Sequence, residues 1–201
     1  HFNHMIRGAE ADEDERFVRE YCLKENIPFY AGRGDVVTAA KKRGLGIEAT
    51  ARQMRYAFLY DTARAAGAAK IATAHTADDN VETVLMNMTR GAGLKGMSGI
   101  PPVRGILIRP LLQTSREEIL KYLEKNGIKH RTDSTNAKDI YTRNKIRHRV
   151  VPVLKEMNPA LSGVVAGMTE LFAEADDFIE RTAGSFVDEN FVSGRVSAAK
   201  L

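Results

Sequence analysis

The stretch HTADDNVET, His75 to Thr83, sets one histidine, two adjacent aspartates and a glutamate directly after the apolar-leaning run AAKIATA. So much acid where a strand turns into a helix has two readings. Carboxylates at a helix start accept from its free N–H groups and suit the positive end of its dipole. Hard oxygen ligands in the same place also suit a magnesium ion shared with phosphates. With a helix beginning near Asp78, Val81, Val84, Leu85 and Met88 share one apolar face, and Asp79 and Glu82 fall on the opposite side. Both carboxylates are therefore expected to face away from the core.

Three further groups bear chemistry. Arg52 and Arg55, three apart on the helix after GIEAT, form a stripe off its apolar face and can reach one anion together, although surface arginines on helices are ordinary. His1 and His4 in HFNH have the spacing of a metal pair, yet two histidines and one distant thiol do not complete a zinc site. Between Lys129 and Arg149 there are seven Lys or Arg against two Asp, a local excess above the net +4 of the whole chain. There Arg143, Lys145, Arg147 and Arg149 mix with Tyr141 and with small polar residues. That mixture suits a nucleic-acid backbone, because the cations displace counterions while Ser, Thr and Asn fix register. A solvated helix face is the plainer alternative.

The elements that must position these groups alternate. Phe17, Val18, Tyr21 and Cys22 fall at helical spacing behind the acidic opening EADEDE, and IPFYAG reads as a short strand. GRGDVVTAAKKRGLG reads as a loop or loosely helical connection. A helix from about Glu48 to Ala66 carries Met54 and Phe58 on one side and stops at Gly67. AAKIATA and GILIRPLL are strand candidates, the glycines of RGAGLKGMSG fit no phosphate-loop fingerprint and suggest a mobile loop, and Ser115 with Glu118 makes a capping box. The alternation predicts an α/β fold with a parallel sheet and crossover helices. Helical spacing resumes after Pro159, which places a domain boundary near Asn158, with residues 159–201 as a helical C-terminal extension. In such sheets ligands bind beyond the carboxyl ends of the strands, where the acidic helix start points.

Bulk properties agree with a soluble domain. The chain has 201 residues, 43% hydrophobic and 28% charged, with one cysteine and no apolar run near the length of a membrane span. Cys22 fits a reducing compartment, so a cytoplasmic location is expected.

In order along the chain, HFNHMIRG, EATARQMRY, ATAHTADDNVET, RGAGLKGMSGIPPVR, IRPLLQTSREEI, DSTN and YTRNKIRHRVVPVL resemble the N-terminal catalytic domain of the tRNA(Ile)-lysidine synthetase family. The resemblance runs from His1 to about Pro159. It implies an N-type ATP pyrophosphatase domain, adenine nucleotide alpha hydrolase-like and Rossmann-like, over residues 1–158. It also implies a reaction in which ATP adenylates cytidine 34 of tRNA(Ile) with a CAU anticodon, after which free L-lysine displaces AMP. Position by position, Asp79 and Glu82 correspond to catalytic residues organising Mg²⁺ against ATP, and Asp78 and His75 line the same pocket. His4, Arg7, Arg52 and Arg55 correspond to nucleotide-binding positions, and Arg143, Lys145 and Arg147 to positions meeting tRNA or lysine. No membrane association is implied, and a homodimer is compatible with the resemblance.

One departure qualifies the match: the family's SGG.DS nucleotide loop, which lies upstream of the HFNH block, is not in this sequence. Preceding residues are therefore expected, the activity is assigned to the longer protein, and the segment by itself is expected to be inactive. Two alternatives stay open. One is a 2-thiocytidine synthetase-like enzyme of the same fold, which a single cysteine disfavours. The other is a noncatalytic RNA-binding remnant.

Overall fold

The computed structural model describes residues 1–131 and 142–190. Tyr141 and the DSTN stretch, both singled out above, lie outside them. The chain divides into two compact units, residues 1–71 and 72–201.

In the first unit β1 (Phe2–Asn3) and β2 (Gly32–Arg33) pair in parallel, Phe2 opposite Gly32, with α1 (Ala9–Lys24) as the crossover. IPFYAG thus contributes only its last residue to a strand. On α1, Phe17, Val18 and Cys22 are half-buried but Tyr21 is exposed. α2 (Val36–Arg43) forms where a loop or loose helix was expected. Asp35 caps its start by accepting from Thr38 N at 3.0 Å, and Gly44 closes it with a left-handed φ of 63°. α3 (Ile47–Ala65) packs Met54 and Phe58 so tightly onto Gly34 and Gly32 that a Cβ at either glycine would overlap them.

The second unit begins within β3 (Ile71–Ala72), at Ala72, and continues through α4 (Ala77–Met88), α5 (Leu94–Met97), β4 (Val103–Arg104), β5 (Leu107–Ile108) and α6 (Arg116–Lys125). Then come α7 (Thr142–Lys145), a single π-helical turn (Ile146–Val150), α8 (Val151–Met157) and α9 (Leu161–Asn190). The sheet order is β3-β5-β4. GILIRPLL supplies β5, and the preceding Val103–Arg104 strand β4 pairs with it antiparallel across a turn at Gly105, whose φ of 61° a side chain would resist. The expected parallel pairing is present in β1 and β2, and the described residues hold two small sheets in a mostly helical chain.

Two more expectations are corrected. RGAGLKGMSG contributes the short α5 instead of remaining a loop, because Gly96 N and Met97 N both bond back to the Gly93 carbonyl. Met88 is 55% exposed, whereas Val81 and Val84 are buried in a core with Ile146, Val151 and Val165. α9 contributes Val165 to that core and rests on α4 and α5, with Leu161 and Met168 packed alongside. The Ser115–Glu118 capping box forms as read. Among the described residues no helix is long and apolar enough to cross a membrane.

Leu107 on β5 is fully buried. Leu107→Ala should lower unfolding free energy by about 2–5 kcal/mol in a denaturant titration, because a wholly enclosed site relaxes only partly around the lost methyls. A loss below about 1 kcal/mol would contradict this packing.

Candidate functional site

Thr76 caps α4, and its partner is one of the candidate acids. Asp79 Oδ2 accepts from Thr76 N at 2.9 Å and Thr76 Oγ1 at 3.0 Å, while Asp79 N donates to Thr76 Oγ1 at 3.3 Å. This is a reciprocal capping box. One Asp79 oxygen is thereby spent on the helix start, and Oδ1 stays 3.7–3.9 Å from two guanidiniums.

Glu82 does not face away from the core as expected. It is 2% exposed, and both oxygens are taken by arginines. Arg143 Nε donates to Oε2 at 2.7 Å, Arg147 Nε to Oε1 at 2.6 Å, and an Arg147 terminal nitrogen to Oε2 at 3.0 Å. The correction has a physical cause: a carboxylate enters a dry environment only with its charge matched and its lone pairs filled, and two guanidinium forks do both. Arg143 also donates to the Asp79 carbonyl at 3.1 Å and Thr83 Oγ1 at 3.0 Å. The bond to Glu82 lifts Arg147 above the ordinary arginine value against the opposing effect of burial.

Asp78 closes the other side of the turn. Its Oδ1 accepts from Lys155 Nζ and its Oδ2 from Arg116 N, both at 2.7 Å. Burial pushes its carboxyl up, but the Arg116 N–H and the Lys155 ammonium outweigh this and hold it below the ordinary value. Thr73 Oγ1 lies 2.9 Å from His75 Nδ1. Lys145 is exposed. The structure thus gathers Asp78, Asp79, Glu82, Arg143 and Arg147 around the first turns of α4, and adds Lys155, Thr83 and Thr76. The T-x-x-D spacing announces the Thr76 cap. Nothing in the sequence links Lys155 to Asp78.

The carboxylates as arranged do not fit a divalent cation. Both oxygens of Glu82 and one of Asp79 are committed, the free one faces positive charge, and hard cations need several open oxygens. Among the described residues no group of three or more His, Cys, Asp or Glu is arranged for a metal ion. A magnesium ion accompanying nucleotide phosphates would need other ligands.

The first unit holds the remaining candidates. Partial burial, then the charges of Arg55 and Arg7, keeps His4 below its ordinary value; its Nδ1 is enclosed without a partner. Arg7 donates to Glu10 at 3.0 Å and Asp14 at 2.6 Å. The guanidiniums of Arg52 and Arg55 lie 4.8 and 5.8 Å from the centre of the Tyr56 ring. Desolvation, with the like charge of Arg52 adding to it, lowers Arg55 against the pull of Tyr56. Arg52 and Arg55 thus share the Tyr56 ring, and Arg55 acts electrostatically on His4.

The sequence pattern of the PP-loop domain matches residues 1–154. The chain belongs to the PP-loop family. A tRNA(Ile)-lysidine synthase from Parabacteroides distasonis is 44% identical over 176 residues, which cover 88% of this chain and 40% of that protein. The synthase from Caldanaerobacter subterraneus is 42% identical over 90% of this chain and 39% of its own length. That from Thermotoga maritima is 40% identical over 94% and 46%. The chain therefore spans less than half the length of these relatives. Among solved structures, the U34-tRNA thiolase NcsA from Methanococcus maripaludis with its 4Fe–4S cluster superposes with a TM-score of 0.65 at 16% identity. The superposition covers 86% of this chain and 60% of that one, a likeness of fold.

Two outcomes check the PP-loop site. Glu82→Gln should cost at most about 3 kcal/mol, the low end for a broken buried pair, since Arg143 and Arg147 keep about a quarter of their surface in water. An unchanged denaturation midpoint would deny the clamp. For Asp78, whose folded value lies below its ordinary 3.8, the stabilisation is present above 3.8 and lost as pH falls through the folded value. Carboxyl NMR should give a midpoint below 3.8 that Lys155→Met raises; no movement in that variant would contradict the pairing.

Proposed function

We propose that this chain is the PP-loop part of a tRNA(Ile)-lysidine synthase. The observation that carries the reading is identity of 40–44% along 88–94% of the chain with proteins of that name, spanning the acid block and the arginines it holds. In the reaction, O2 of cytidine 34 attacks the α-phosphorus of ATP and the α–β oxygen bridge breaks, releasing pyrophosphate. An amino group of free L-lysine then attacks C2, the C2–O2 bond breaks, AMP leaves with the oxygen, and the amine gives up a proton.

Charge develops on phosphate oxygens in both steps, and fixed cations stabilise it most when they need no reorganisation. Arg147 and Arg143 suit this role because Glu82 aims them while about a quarter of each side chain stays in water. Asp79 helps orient the two guanidiniums from the helix start, and Asp78 ties the same turn to Lys155. His75 borders the same turn. His4, Arg7, Arg52 and Arg55 bind the nucleotide, with Tyr56 as a flat neighbour. Lys145 and the rest of the basic segment meet the tRNA backbone.

The direct test is incorporation of labelled lysine into tRNA(Ile) transcripts with a CAU anticodon by the complete protein. Incorporation should require ATP and release one pyrophosphate per lysidine; its absence in a folded, tRNA-binding protein overturns the reading. Asp79→Asn keeps a capping side chain but removes the charge. It should slow pyrophosphate release by about 100-fold or more with tRNA affinity retained. Arg147→Ala should raise KM for tRNA or lysine by about tenfold, and unchanged values for both would remove Arg147 from the site.

A further inference from the structure

The second unit contains a cavity of about 390 Å³ that the acid and arginine cluster does not use. Asn80, Arg109 and Thr169 are its buried polar side chains, at 4%, 5% and 6% exposure. Asn80 is fully committed: its Nδ2 donates to Thr169 Oγ1 at 3.3 Å and its Oδ1 accepts from Ile100 N at 2.8 Å. Arg109 is not. Its side chain makes one hydrogen bond, from a terminal nitrogen to the Pro101 carbonyl, and its Nε is enclosed without a partner. Among the described residues no carboxylate forms an ion pair with it.

A guanidinium cannot shed its charge, so burying one without an anion is costly, and an acceptor at Arg109 relieves that cost. We propose that this cavity binds a small monocarboxylate with an apolar body, its carboxylate accepting from the guanidinium of Arg109. The planar fork matches a carboxylate in geometry. Pro101, Pro110, Leu112 and Ala173 supply apolar walls around it. Glu170 and Glu174, exposed at the rim, repel a second negative charge, which selects a monoanion over a phosphate dianion or a dicarboxylate. The volume lies at the small end for ligand cavities and suits a single ring or a branched aliphatic acid.

The experiment is fluorine NMR on the complete protein with 4-fluorobenzoate as probe, 4-fluorobenzamide as its neutral counterpart, and unlabelled terephthalate as a competing dianion. Saturable binding of 4-fluorobenzoate is expected, with the amide at least about tenfold weaker and terephthalate a poor competitor. Arg109→Gln should abolish binding. Because that residue is buried and its loss can unfold the protein, Ala173→Phe provides a second variant: it fills the cavity from an exposed helix position and should block the probe with the unfolding midpoint unchanged. No saturable binding to the unaltered protein, equal affinity for the amide, or full binding by a folded Ala173→Phe variant would each overturn the assignment.

Discussion

The buried carboxylate of Glu82 is the constraint on which the second unit turns. A negative charge in a dry interior is tolerated only with opposite charge and directed hydrogen bonds around it, and Arg143 and Arg147 supply three donors to its two oxygens. These partners lie 61 and 65 residues along the chain. The ion triad therefore fixes how α4 meets the segment from α7 through the π-helical turn. The apolar contacts follow the same line: Ile146, next to Arg147, enters the core with Val81 and Val84, the neighbours of Glu82. Polar and apolar contacts thus agree on one register of the two segments. Such agreement across kinds of interaction is what gives a sequence one structure.

The helix start adds a second layer. Asp79 satisfies the N-cap, Asp78 joins α4 to Lys155 and to the first backbone N–H of α6, and Glu82 holds the arginines. Three acids within five positions do three separate tasks. Their shared helix keeps them in fixed relation, so a substrate meeting the solvent-exposed part of Arg143 or Arg147 meets groups that are already placed. Preorganisation of this kind favours charge stabilisation over flexible capture.

The first unit solves a similar problem with different residues. Asn3, 2% exposed, donates to Asp12 and Glu15; Glu15, 4% exposed, is matched by Arg19 and Arg33. Strand β1 is thereby tied to α1 and β2 through a satisfied polar network. Buried polar groups of this kind are costly when half-paired and specifying when complete. Arg109 in the second unit is the exception, with donors to spare beside a cavity.

What the sequence determined by itself was local and chemical. The cap at Ser115, the glycine stop at Gly67, the acid-bearing start of α4 and the apolar pair Val81 and Val84 follow from residue types at short spacing. The motif blocks likewise carried the family. Only the tertiary structure decided that Glu82 points inward, that Arg143, Arg147 and Lys155 converge on the acids, and that the strand in GILIRPLL pairs back onto Val103–Arg104. Helical periodicity ranks a glutamate as an outward residue because it registers the cost of burying charge. The guanidiniums that cancel that cost come from a distant part of the chain, and no local pattern records their arrival.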